Sequence, residues 1–145
     1  MTGKKNGERQ FVDTNVLVYA HDISAGKKHA RAKALVENLW QSGSGCLSVQ
    51  VLQEFYVAVT QKVQKPLSPE VASRIIECLS HWRVHAPDAG DVLEAIRIHQ
   101  RYAISFWDAM IIRSAEALGC KVIWSEDLNS GQYYGKIRVV NPFSC

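Results

Sequence analysis

Two carboxylates stand directly after predicted strands at opposite ends of the sequence. Asp13 follows the apolar pair Phe11-Val12, and Asp127 closely follows the apolar run 122–124. Because ligands of parallel sheets gather beyond the carboxyl ends of the strands, we expect these two acids to converge at one edge. Carboxylate oxygens are hard ligands of the kind that Mg²⁺ and Mn²⁺ accept. The pattern therefore predicts a divalent metal site at that edge.

A third acid, Asp108, lies in the first turn of a predicted helix that begins after Ser105. The Ser105–Asp108 spacing also resembles a capping box, in which the acid would only stabilise the helix N-terminus. The rest of this helix is largely apolar, so a partly desolvated carboxylate is expected there, and burial favours an acid that is paired or metal-bound. Asp13 and Asp127 have structural alternatives too, since Asp caps helices and ends strands in turns.

Other chemistries are disfavoured by what the sequence lacks. The four cysteines form no Cys-x-x-Cys pair, which indicates free thiols in a reducing compartment and not a zinc site. No Gly-x-Gly-x-x-Gly follows the first strand, so dinucleotide binding is disfavoured. The five histidines form no catalytic motif. Phosphoryl transfer with Asp13 as nucleophile stays open, although a haloacid-dehalogenase-type phosphatase needs Asp at position 15, which is Asn here.

The bulk composition predicts one soluble domain. With 145 residues, 47% of them hydrophobic, the chain is long enough for one globular core. No apolar run approaches the roughly 20 residues of a membrane span, and the N-terminus lacks the apolar stretch of a signal peptide. We therefore expect a cytoplasmic protein without membrane association. The formal charge of +3 permits a polyanionic partner without requiring one.

Strand and helix signals alternate along the chain. Residues 1–9 are predicted to be a flexible tail, and residues 10–145 a single domain. Strands are predicted at 11–12, 46–48, 84–85, 120–124 and 137–140, and helices after 13 and at 29–40, 49–63, 69–82, 91–102 and 106–118. Predicted caps are Ser48, Ser68, Ser105 and a capping box of Asp91 with Glu94. This alternation favours an α/β fold with a mainly parallel sheet covered on both faces.

Four segments resemble the motifs of PIN domains, in the order and spacing of that family. They are 11–19, 52–56, 104–111 and 124–131. The likeness extends from about Phe11 to Phe143 and includes the toxin nucleases of bacterial VapC type. Glu54 becomes a candidate only through this resemblance, because its helical position alone predicts a solvent-facing residue.

The resemblance implies a three-layer α/β/α sandwich with a central, mainly parallel sheet, and it assigns roles to residues. The implied catalytic and metal-binding acids, for one or two Mg²⁺ or Mn²⁺ ions, are Asp13, Glu54, Asp108 and Asp127. The implied neighbours that orient these acids or the substrate are Thr14, Asn15 and Ser105. Basic candidates for contacts with RNA phosphates are Lys27, Lys28, Arg31 and Arg113.

The activity that the resemblance implies is metal-dependent hydrolysis of RNA phosphodiester bonds by an endoribonuclease. A nuclease of VapC type is expected to be the toxin of a toxin–antitoxin pair, to be covered by a small antitoxin protein, and to form a homodimer. The alternative is a catalytically silent PIN-like scaffold that binds RNA or protein. Metal-dependent cleavage would exclude that alternative.

Overall fold

The computed structural model describes residues 7–144. Within this range the α-helices and strands are, in chain order, β1 (Gln10–Val12), α1 (Thr14–His21), α2 (Lys27–Ser42), β2 (Gly45–Ser48), α3 (Val49–Gln61), α4 (Pro69–Leu79), β3 (Arg83–His85), α5 (Ala89–Tyr102), α6 (Phe106–Ala117), β4 (Val122–Trp124), β5 (Tyr133–Tyr134) and β6 (Ile137–Val140). A short 3-10 turn, Ile23–Ala25, joins α1 to α2. No described helix is both long and apolar enough to cross a membrane.

The described strands form one sheet in the order β3-β2-β1-β4-β6-β5, with β5 antiparallel to β6 and the other neighbours parallel. Helix α1 packs on α2 and α3, α3 packs on α4, and α5 packs on α6; α2, α3 and α6 also contact β2. The predicted three-layer α/β/α sandwich with a mainly parallel sheet is thus confirmed. Its topology brings the carboxyl ends of β1, β2 and β4 to one edge.

The central strands are buried on both faces, which explains their continuous apolar runs. Phe11, Val12, Leu47, Ile123 and Val139 are all fully buried. Burying side chains of this size contributes about 1.5–3 kcal/mol each to stability. The strands that precede Asp13 and Asp127 are therefore held within the core.

Three predicted helix caps are confirmed. The hydroxyls of Ser48, Ser68 and Ser105 each accept a hydrogen bond from the backbone N–H three residues later, at 3.2, 3.2 and 3.0 Å. Each satisfies a donor that the first helical turn leaves without a partner. The last of these caps fixes the start of α6, which carries Asp108.

The predicted capping box of Asp91 with Glu94 is wrong. The helix begins two residues before Asp91, so Asp88 is the N-cap and Asp91 occupies the third helical position. The Asp88 carboxylate accepts from the Asp91 N–H at 3.0 Å, and the Asp91 carboxylate accepts from the Asp88 N–H at 2.9 Å. The box is therefore real but lies three residues earlier in the chain.

Other boundaries differ by a few residues. Of the predicted tail, residues 1–6 lie outside the described residues, and Arg9 is held to the domain rather than flexible. Its carbonyl accepts from the Lys121 N–H at 2.9 Å, and its guanidinium donates to the Leu118 carbonyl at 2.9 Å. Helix α2 is longer than predicted, α3 and α4 end earlier, and the two-residue strand β5 was not predicted.

Candidate active site

Asp13 caps α1 and is nonetheless almost fully buried, with 8% of its surface exposed. Its Oδ1 accepts from the Thr14 N–H at 2.7 Å, and its Oδ2 accepts from the Ser125 hydroxyl at 2.8 Å. The backbone N–H of Asp13 donates to the Trp124 carbonyl at 2.9 Å, which ties β1 to the end of β4. The predicted alternative of a helix-capping Asp13 is therefore real, and the same side chain is also buried.

Burial raises the pKa of Asp13 from 3.8 to about 6, against the opposing hydrogen bonds from Ser125 and Thr14. The negative charges of Asp108 and Glu54 raise this pKa further. These three acids therefore interact electrostatically, as the prediction of a shared site requires. The ionised Asp13 carboxylate is costly in this position because no basic side chain of residues 7–144 pairs with it.

Glu54 is exposed on α3, as its helical position predicted, but its carboxylate turns back towards α1. Its Oε1 accepts from the Thr14 hydroxyl at 2.6 Å, and its Oε2 accepts from the Gln50 amide at 3.2 Å. Gln50 also donates to the Trp107 carbonyl at 3.4 Å, next to Asp108. Thr14 and Gln50 therefore link α1, α3 and α6 around the candidate acids.

A cleft of about 740 Å³ opens beside these residues. Thr14, Asn15, Glu54 and Asp127 all line it, so the structure brings Asp127 to the same cleft as Glu54. Asn15 is half-buried, and its Oδ1 is buried without a hydrogen-bond partner among the described residues. An oxygen acceptor without a donor is costly when buried, so this atom is suited to a cation or a ligand donor.

Asp108 lies in the first turn of α6, half-buried, with its N–H donating to Ser105. Its carboxylate raises the pKa of Tyr134, after the larger effect of burial, as well as that of Asp13. Neither Asp108 nor Asp13 is among the residues lining the cleft. Ser105 thus acts by fixing the start of the helix that carries Asp108.

The candidate acids lack counter-charges. No Lys, Arg or His of residues 7–144 forms an ion pair with Asp13, Glu54, Asp108 or Asp127. Like charges held together without a partner are stabilised by a bound cation. The donor set, carboxylate and amide oxygens, fits a hard divalent ion.

Over the same described residues, no three His, Cys, Asp or Glu side chains stand at the mutual spacing of a metal cluster. Glu54 and Asp127 line the cleft, Asp13 and Asp108 lie outside its lining, and the charges of Asp108 and Glu54 act on Asp13. Repulsion between like charges keeps such groups apart. The residues fit a metal ion in chemistry and in placement on the sheet.

The four basic side chains predicted to contact RNA phosphates differ in how far they are already engaged within the protein. Lys27 is exposed, and Arg31 is exposed with one donor on the Pro142 carbonyl at 3.2 Å. Lys28 pairs with Glu126 and lies 5.0 Å from the centre of the Tyr19 ring. The expectation of freely available cations therefore fits Lys27 and Arg31 better than Lys28.

Arg113 was predicted to contact RNA phosphates, but its side chain forms ion pairs within the domain. It bonds Asp91 Oδ1 at 2.8 Å and Glu116 Oε1 at 2.6 Å. Asp91 Oδ2 also lies 3.2 Å from His85 Nε2, and His85 Nδ1 lies 2.8 Å from the Ser114 hydroxyl. This ionic network joins α5, α6 and β3, so Arg113 has a structural role.

The chain of Ser114, His85 and Asp91 has the order of a nucleophile, a base and an orienting acid. Ser114 is fully buried, however, so no substrate can reach its hydroxyl. The histidines form no motif in the sequence, and the contacts of His85 appear only in the structure because its partners lie on separate elements. We assign this chain to stability and not to catalysis.

Two residues at the site were missed. Ser125 was not among the predicted site residues, although its hydroxyl donates to Asp13 at 2.8 Å and accepts from the Leu128 N–H at 3.3 Å. Its position directly after β4, level with Asp13 after β1, was the available signal. Lys62, at the C-terminal end of α3, lines the cleft and adds a positive charge there. Its contribution depends on where α3 ends, which the sequence left uncertain.

Solved structures share this fold at low sequence identity. VapC20 of Mycobacterium tuberculosis, described as a sarcin–ricin loop cleaving toxin, is 22% identical with a TM-score of 0.62, over 81% of this chain and 89% of its own. A toxin–antitoxin complex from Klebsiella pneumoniae is 20% identical with a TM-score of 0.66, over 94% and 99%. DNA-bound VapBC from Salmonella typhimurium is 22% identical with a TM-score of 0.63, over 91% and 96%.

No protein of curated function matches the sequence. The family model described as PIN domain matches residues 11–135, which is most of the chain and includes all four candidate acids. The arrangement of buried and cleft-lining acids at the carboxyl edge of a parallel sheet agrees with that match. The chain belongs to the PIN domain family.

Proposed function

We propose that this protein is a metal-dependent endoribonuclease that hydrolyses RNA phosphodiester bonds. The observation that carries the proposal is the buried Asp13 carboxylate, whose pKa is raised by burial and by Asp108 and Glu54, with no basic residue paired to it in the described chain. An ordinary ionised carboxylate at that depth would be paired with a positively charged group. Functional sites are where such unfavourable charge is retained.

Asp13, Glu54, Asp108 and Asp127 would hold Mg²⁺ or Mn²⁺, with the Asn15 oxygen as a further candidate. Such an ion supplies charge neutralisation for the phosphodiester and activation of water at neutral pH. Thr14 orients Glu54 through its hydroxyl, and Ser125 fixes the rotamer of Asp13.

Positive side chains near the cleft would hold the RNA backbone. Lys62 lines the cleft, and Lys27 and Arg31 are exposed on α2. Lys and Arg neutralise phosphates and make RNA affinity depend on salt. We therefore propose Lys62 with Lys27 and Arg31 as the phosphate contacts, and we leave Arg113 out because it is paired with Asp91.

The test is cleavage of a pool of structured RNAs by purified protein, with Mg²⁺ or Mn²⁺ and with chelator. Asp13→Asn, Asp108→Asn and Glu54→Gln should each reduce cleavage by about 100-fold or more, because each removes one charge from the site. Glu37→Gln is the matched control, since Glu37 is exposed on α2 away from the candidate acids. Its cleavage rate should equal that of the unmodified protein.

Cleavage that survives both chelator and the Asp13→Asn change would refute the proposed site. If the folded, metal-loaded protein cuts no RNA in the pool but still binds it, the silent PIN-like scaffold becomes the better description. The Asp13, Asp108 and Glu54 variants are informative in that case too. Loss of RNA binding in these variants would still indicate that the RNA binds at this cleft.

We further propose that the protein is the toxin of a toxin–antitoxin pair, held inactive by a small antitoxin protein that covers the cleft. Relatives of similar fold include a toxin–antitoxin complex and VapBC. Expression of the chain alone should inhibit growth of its bacterial host, and Asp13→Asn should relieve that inhibition. Equal growth of the two strains at equal protein levels would count against a toxin.

We propose a homodimer in the cytoplasm as the free form of the protein. Several large apolar side chains are exposed, including Leu93 at 61% and Trp107 at 64%. Exposed side chains of this kind are common where proteins associate. Light scattering at micromolar concentration should give twice the mass of the chain, and a monomer alone would refute the dimer.

A further inference from the structure

A second cavity, of about 440 Å³, lies at the edge of the sheet opposite the candidate acids. It is formed by the C-terminal end of α2, the first residue of β2 and the connection from α4 to β3. Because β2 and β3 are parallel, their amino ends meet here, while the acids lie beyond the carboxyl ends. The volume is within the range of small-molecule sites. Its lining residues are Leu39, Trp40, Gly43, Gly45, His81, Trp82 and Arg83.

Two indole rings shape one wall of this cavity. Trp40 and Trp82 meet edge to face, with ring centres 5.4 Å apart and planes at 72°. Trp82 packs against the backbone of Gly45 so closely that a Cβ there would lie 2.5 Å from its ring. Trp40 remains 42% exposed, although a tryptophan is costly to leave in water. The packed ring of Trp82 supports the partly exposed ring of Trp40, which offers a surface on which a flat ligand can stack.

The polar side of the cavity is positively charged. Arg83 donates to the Gly43 carbonyl at 3.0 Å, which orients its guanidinium, and it forms no ion pair with any described carboxylate. His81 adds an imidazole to the same lining, and no Asp or Glu lines the cavity. A guanidinium has five N–H donors, so most remain available to an anion after one backbone contact.

An aromatic surface beside an unpaired guanidinium fits a ligand with a flat ring and an anionic group. We propose that this cavity is a nucleotide-binding site, in which the base stacks on Trp40 and the phosphate bonds to Arg83. Stacking of a base on an aromatic side chain contributes about 1–3 kcal/mol, and Arg recognises phosphate through paired N–H donors. The ligand is either a free nucleotide or a nucleotide within single-stranded RNA, and both have this chemistry.

The test is a titration of the metal-free protein with AMP, followed by NMR of the indole N–H signals. The chain has four tryptophans, so the two that line the cavity can be compared with Trp107 and Trp124 in one spectrum. We expect the signals of Trp40 and Trp82 to shift with one binding curve and the other two to stay in place. Adenosine and ribose 5-phosphate should each bind more weakly than AMP, because each lacks half of the recognised chemistry.

Matched substitutions distinguish specific binding of AMP in this cavity from nonspecific binding elsewhere on the protein. Trp40→Ala and Arg83→Met should each weaken AMP binding about tenfold, the loss expected from one stacking or charged contact. Trp107→Ala and Arg97→Met are controls of the same residue types outside the cavity, and AMP should bind to them normally. Arg83→Lys should recover part of the lost affinity. Unchanged thermal unfolding of Trp40→Ala, whose ring is exposed, verifies that the fold is intact.

Shifts confined to Trp107 or Trp124 would overturn the proposal, as would AMP affinity that is unchanged in Arg83→Met. A short oligoadenylate distinguishes the two sources of ligand. Binding about tenfold tighter than that of AMP, with the same dependence on Trp40 and Arg83, identifies single-stranded RNA, while equal affinity identifies a free nucleotide. Chelator is present throughout, so the result is independent of whether the protein cleaves RNA.

Discussion

Replacing Asp13 by Asn should stabilise the metal-free protein at neutral pH while abolishing cleavage. The side chain is 8% exposed, and burial raises its pKa from 3.8 to about 6. The folded protein therefore holds this carboxyl in its protonated form more readily than the unfolded chain does. An Asn side chain resembles the protonated form, since its oxygen can accept from the Thr14 N–H and its amide can donate to the Ser125 oxygen.

The magnitude follows from the pKa. Each pKa unit corresponds to about 1.4 kcal/mol, so ionisation of Asp13 costs the folded state about 3 kcal/mol at neutral pH. For an acid whose folded-state pKa is raised, the stability is fully present below 3.8 and is lost as the pH rises through about 6. The Asn variant lacks this loss, so its advantage should grow between those values and then remain constant.

Urea unfolding of both proteins in chelator, at a series of pH values, measures the difference. We expect equal stability near pH 4 and an advantage of up to about 3 kcal/mol for the variant above about pH 7. Added Mn²⁺ should raise the melting temperature of the unmodified protein more than that of the variant. A variant that is less stable at neutral pH, or a difference independent of pH, would refute the argument that buried charge is uncompensated at Asp13.

Two further predictions concern stability. Gly45→Ala should destabilise the fold by about 1–3 kcal/mol in urea unfolding, because its Cβ would overlap the Trp82 ring; unchanged stability would mean that the ring moves freely. Asp91→Asn should lower the melting temperature and make that temperature less sensitive to acid. The Asp88 backbone and Arg113 lower the pKa of Asp91 from 3.8 to about 2. The stability that this lowered pKa gives is present above pH 3.8 and is lost as the pH falls through about 2. A melting curve of the variant as acid-sensitive as that of the unmodified protein would contradict this.

Sequence patterns predicted the sheet and the helix starts because these depend on local chemistry. The apolar runs before Asp13 and Asp127 are strands that need burial on both faces, and Ser48 and Ser105 satisfy the first donors of their helices. Both signals are contained in a few neighbouring residues. The resemblance to PIN domains added Glu54, whose helical position indicates only exposure.

Contacts between distant segments could not be predicted in the same way. The pairing of Arg113 with Asp91 depends on how α5 lies against α6, and the bond from Ser125 to Asp13 depends on β1 and β4 being neighbours. The capping box was misplaced because Asp91 and Glu94 satisfy the same spacing rule as Asp88 and Asp91. The spacing rule therefore allows two capping boxes, and only the start of α5 in the folded protein shows which of them forms.

The two outer strands of the sheet are short. β3 has three residues and β5 has two, and β5 also reverses direction relative to its neighbour. A short edge leaves few backbone groups free to recruit another strand. The protein is therefore protected against edge-to-edge polymerisation, and crowding at high expression should bring copies together through side chains, reversibly, rather than through cross-β growth.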